Sequence, residues 1–133
     1  MPGQGRSGSV VIASGQPYSG VIDTDGMHFL ALQLPAAMDG TSFTLYGFAG
    51  AGASGDGAQA FSDAFTALGA GPGAFRQIFD AAGVALPPIT FAPDTCVGVD
   101  SDVMSKLAGF RFIALKSSTT ETAARTVGYS LKA

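Results

Sequence analysis

The chain has 133 residues, of which 47% are hydrophobic and only 13% charged, with a net charge of −3. That is the length of one domain with enough apolar content for a core, which excludes a largely disordered chain; charge this sparse implies a surface partly covered by neighbouring subunits or a partner. The seven basic residues are scattered singly, which argues against nucleic-acid binding, and no apolar run approaches the roughly 18 residues of a membrane span.

Residues 1–9 are rich in Gly and Ser and read as a flexible N-terminal arm, leaving 10–133 as a single domain. The arm lacks the charged and apolar regions of a secretion signal, so synthesis in a cytoplasm is expected. A first strand starts at 10–13. A turn at 15–18, a short strand at 21–23 and a tight turn at 23–26 follow. Residues 27–34 read as a strong strand, with His28, Leu30, Leu32 and Leu34 on one face and Phe29, Ala31 and Gln33 on the other. Pro35 ends it. Asp39 and Gly40 make another turn, and 42–48 alternates Phe43 and Leu45 against Ser42, Thr44 and Tyr46.

Residues 49–74 depart from this pattern. They are rich in Gly and Ala, and Phe61, Phe65 and Leu68 are spaced four and three apart, which is one face of a helix. This is expected to be a loop insertion carrying a short amphipathic helix. Its apolar face packs either on its own sandwich or on a neighbouring subunit. Further strands are expected at about 75–79, 84–92 and 95–100. In the run 109–117, Phe110, Phe112 and Ala114 oppose Ile113 and Leu115; a strand apolar on both sides must be covered on both faces and belongs in the middle of a sheet. A polar loop separates it from 126–132, where Val127, Tyr129 and Leu131 alternate with Thr126, Gly128, Ser130 and Lys132. Short strands between turn signals point to an all-β sandwich or barrel of antiparallel strands rather than βαβ units.

Chemistry is thin along this chain. Cys96 is single, which excludes an intrachain disulfide and a cysteine-built zinc site, and it reads as a small apolar residue in or beside a strand. His28 is also single and reads as a structural or rim residue. Asp23 and Asp25 beside Gly26 lack the rest of a calcium loop. Asp94, Asp100 and Asp102 read as turn carboxylates that could at most hold a hard cation. Glu121, the one glutamate, lies in a polar loop, and there is no Trp to stack a sugar. Neither a nucleophile elbow nor a phosphate loop occurs. Arg111, in an otherwise apolar strand, needs a carboxylate such as Asp80 or a subunit interface; Arg76 and Arg125 are the other interface candidates. The expectation is a protein with no catalytic residues, no cofactor and no metal.

Three blocks, taken together, resemble small β-sandwich virion proteins of tailed bacteriophages. The first spans 12–37: a Ser14–Gly15 turn, an Ile22–Asp23 step, the Gly26 turn, and an apolar strand closing in Pro35, Ala36 and Ala37. The second pairs 41–45 with 78–83. The third joins 107–117, with its Ala108, Gly109, Phe110, Arg111 and Phe112, to the final alternating strand 123–131. The insertion at 49–74 is longer than the loop that family carries there. The resemblance implies a jelly-roll-like sandwich on a phage particle, most plausibly a head decoration or cement protein, otherwise a head fibre or tail component. It implies binding to the major capsid protein or other virion proteins, with a homo-oligomer, a trimer favoured, and no nucleic acid or membrane partner. A lectin-like adhesion module, with Tyr18, Tyr46 and Tyr129 lining a shallow site, is the competing expectation.

Overall fold

The computed structural model describes residues 5–24, 28–48, 76–107, 110 and 112–133. Among them are nine strands: β1 (Gly5–Ile12), β2 (Tyr18–Asp23), β3 (Phe29–Gln33), β4 (Ser42–Phe48), β5 (Arg76–Gln77), β6 (Ile89–Thr90), β7 (Cys96–Gly98), β8 (Phe112–Ser117) and β9 (Arg125–Lys132). One helix, α1 (Ser101–Lys106), lies between β7 and β8.

The strands form two antiparallel sheets. The first has the order β1-β9-β3-β7; the second runs β2-β8-β4-β5, with β6 also paired to β4. Consecutive strands from β1 to β4 alternate between the sheets, and the first and last strands of the chain are neighbours. With β5 and β6 filling one position, this is the connectivity of an eight-stranded jelly roll, two Greek keys wound into a sandwich.

The inner faces follow the sequence alternation. Val10, Ile12, Leu30, Leu32, Leu34, Val127 and Leu131 from the first sheet meet Ile22, Phe43, Leu45, Ile113 and Leu115 from the second, all buried. The Phe43 and Phe91 rings pack at 4.5 Å between centroids, closing the core beneath β6. The first four residues of β8, from Phe112 to Leu115, are buried on both faces, and β8 lies between β2 and β4, the central place its two-sided apolar pattern requires.

Three features differ from the sequence expectation. Residues 5–9, assigned to a flexible arm, are the first five residues of β1, and all of β1 pairs with β9, from Gly5 opposite Lys132 to Ile12 opposite Arg125. Their Gly/Ser composition has a packing reason: a Cβ on Gly8 would lie 2.8 Å from the Tyr129 hydroxyl oxygen, so the missing side chain admits the tyrosine. The strands expected across 75–100 are much shorter, two or three residues each, joined by turns. Finally, α1 occupies the aspartate-rich stretch. The Asp100 side chain caps it by accepting from the Asp102 N–H (3.2 Å), Asp102 pairs with Lys106 one turn on, and Val103 and Met104 face the core. The insertion at 49–74 lies outside the described residues.

Candidate functional site

The most organised polar cluster is built around Glu121, in the loop between β8 and β9. Its side chain is fully buried. Oε1 accepts from the Asp39 N–H (2.9 Å) and Arg125 Nε (3.1 Å); Oε2 accepts from the Gly40 N–H (2.9 Å) and the Ser117 hydroxyl (2.7 Å). Its backbone joins in: Glu121 O accepts from Gly15 N, and Glu121 N donates to Gln16 O. One residue thus ties the β1–β2, β3–β4 and β8–β9 loops together at one end of the sandwich. Asp39 extends the network by accepting from the Thr122 N–H (2.6 Å) and hydroxyl (2.8 Å) and facing Arg125 Nη2 at 3.4 Å.

Burial by itself would push the Glu121 carboxyl up. The Asp39 amide, the Ser117 hydroxyl, the Gly40 amide and the Arg125 guanidinium together outweigh it and hold the group below its ordinary value. Each carboxylate oxygen already accepts two hydrogen bonds and water is excluded, so the group is a charged fastener without spare capacity for a substrate or metal. Among the described residues no buried side-chain polar atom lacks a partner, and no cluster of three or more metal-ligating side chains occurs.

The remaining sequence candidates are dispersed. Arg125 belongs to the Glu121 network and is committed to it rather than offered at the surface. Arg76 lies exposed on β5 at the margin of the second sheet. Phe61, Phe65, Leu68, Arg111 and Asp25 lie outside the described residues. Asp80 closes a turn: Oδ1 accepts from the Ala82 and Val84 amides, at 2.9 Å each. His28 is exposed beside β3, Asp23 pairs with Arg6, and Asp94 is an exposed turn residue with φ 61°. Cys96 lies in β7 but is exposed, facing a shallow groove of about 470 Å³ floored by Ser7, Ser9, Ala31, Gly128 and Ser130 on the outer face of the first sheet.

Of two surface features, the first was not legible as a site in the sequence and the second only in part. The turn held by Asp80 displays Phe79 and Val84, 52% and 60% exposed, as an apolar tip. On the outer face of the second sheet, Tyr18 and Tyr46 meet edge to face, centroids 5.5 Å apart, with Lys116 Nζ 5.6 Å and 5.8 Å from the two ring centres. The three tyrosines named in the sequence therefore do not form one site: Tyr129 is on the other sheet and packs against the core.

No protein-family model and no curated protein sequence matches the chain. Among solved structures, the crystal structure of SPBc2 prophage-derived protein YomS is similar, with a TM-score of 0.46 and 10% sequence identity, covering 96% of this chain and 94% of that one. No helix among the described residues is long and apolar enough to cross a membrane.

Proposed function

We propose that this protein is a structural component of a tailed-phage virion, a head decoration or cement protein that binds the capsid lattice through surface contacts. The observation that carries the reading is the ordered resemblance of three sequence blocks to small virion sandwiches, on a chain whose strands connect as a jelly roll. Physical features support it. Among the described residues the one buried carboxylate is saturated by structural hydrogen bonds, and the exposed groups of note are apolar or aromatic, the kind that drive association. In this reading the protein works as a homo-oligomer, a trimer favoured, on the assembled particle, and turns over no substrate.

Cosedimentation with purified heads, together with the mass of the free protein in solution, tests this. Saturable binding to heads by a defined oligomer is expected. A strict monomer with no affinity for heads overturns it, and binding to purified tails or head fibres instead moves the protein elsewhere on the particle.

A lectin-like module is the competing reading, favoured by the adjacency of Tyr18 and Tyr46. Lys116 stands over both rings, which leaves less open aromatic face for a sugar to stack on. A glycan array without hits removes this alternative.

A further inference from the structure

We propose that Lys116, set between Tyr18 and Tyr46 on the outer face of the second sheet, is a docking point for a carboxylate side chain of a protein partner. This deepens the virion reading by naming the chemistry of one contact, and rests on that reading only for who the partner is.

The patch is built on strands rather than loops. Lys116 lies in β8, paired with Tyr18 of β2 on one side and Thr44 of β4 on the other. Between Tyr18 and Val21 the ladder of β2 is irregular: three steps along β2 correspond to two along β8, from Lys116 to Ala114. In a regular strand, residues three apart face opposite sides. The extra residue brings Tyr18 onto the outer face with Val21, Tyr46 and Lys116, the re-aiming of a side chain that bulges perform. Ser19, inside the bulge, compensates the disturbed ladder by accepting the Leu115 N–H at 2.9 Å.

The charge arrangement points to the ligand. Arg6, Lys106 and Arg125 each meet a carboxylate of this chain. Lys116 meets two aromatic rings instead, and no carboxylate among the described residues lies within ion-pair reach of it. Cation–π contact restrains the long side chain without neutralising it, so less rotamer freedom is lost when an anion binds. Burial pushes the Tyr18 phenol up against the opposing pull of Lys116, and a hydrogen bond with the Tyr46 hydroxyl adds to the rise. An ammonium flanked by phenols suits a carboxylate, and tyrosine-rich patches of this kind are favoured anchors at protein interfaces.

The test is an NMR titration of the full chain with an oligoglutamate peptide, an oligoglutamine peptide and sialyllactose, at low and high salt. Saturable shifts of the Tyr18, Tyr46 and Lys116 side-chain resonances with oligoglutamate, absent with oligoglutamine and weakened by salt, are expected. Lys116→Gln should bind about tenfold more weakly, while Lys116→Arg keeps the charge and much of the affinity. Equal melting temperatures for both variants and the parent establish that folding is intact. No saturable shift, shifts confined to other lysines, or undiminished binding by Lys116→Gln overturns the proposal. Shifts with sialyllactose but not oligoglutamate also overturn it and assign the patch to an acidic glycan. Head cosedimentation is scored separately: its failure alongside a positive titration removes the virion reading and leaves the carboxylate contact standing.

Discussion

At Glu121, burial and hydrogen bonding oppose one another, and hydrogen bonding prevails. Replacing Glu121 with Ala leaves the Asp39 and Gly40 amides, the Ser117 hydroxyl and the Arg125 guanidinium without their shared acceptor. Breaking a buried charged cluster from one side costs about 3–5 kcal/mol, which urea denaturation of Glu121→Ala should read as a lower midpoint. The pH dependence follows from the direction of the shift. The folded carboxyl titrates below its ordinary 4.5, so the network adds stability above that value and loses it as pH falls through the lowered folded one. Denaturation midpoints taken through the acid range should fall with pH in the parent, and the slope should flatten in Glu121→Ala. Gly40 is the network's second requirement. A Cβ there would collide with Ser117 Oγ and come within 3.3 Å of Glu121 Oε2. Gly40→Ala should therefore lower the melting temperature even though the residue lies in a loop; an unchanged melt would show that the cap tolerates displacement. The sequence marks Asp39 and Gly40 as a turn, but Glu121 reads there only as a polar loop residue. Its burial depends on two amides some eighty positions away, and no local pattern encodes that.

At the scale of elements, strands with one buried face were legible. Leu30, Leu32 and Leu34 alternate with Phe29, Ala31 and Gln33, and the structure buries the first set and exposes the second. In β8 the apolar residues on both sides foretold a central position. β1 was only half legible, because residues 5–9 contribute backbone pairing and little apolar area. Their order comes from β9, which supplies hydrogen bonds along the whole strand. Deleting residues 1–9 removes five of the eight residues of β1 and strips that pairing from β9. The truncated chain should melt earlier and lose amide-exchange protection in the C-terminal half of β9; a chain that melts as the parent does would return this segment to the role of an arm. The helix α1 escaped sequence reading for a related reason. At six residues it is too short to stand alone, and Val103 and Met104 hold it through core contact.

At the scale of the whole molecule, the surface bears on association. Phe79 and Val84 project from a turn whose shape Asp80 fixes, so they offer apolar area with little ordering cost on binding. Phe79→Ser combined with Val84→Ser should leave monomer stability within about 0.5 kcal/mol, since both side chains are exposed. If the tip contacts the lattice, head binding should weaken about tenfold or more in cosedimentation; undiminished binding would place the lattice contact elsewhere on the surface. By itself the sequence determined the class of fold and most of the strand faces, because these follow from local periodicity and residue type. Only the tertiary structure decided which strands are neighbours, that a loop glutamate becomes a buried fastener, and that two tyrosines and a lysine share one patch. Each of these joins residues far apart in the chain, and their meeting is set by how the two sheets close on one another rather than by any neighbour in sequence.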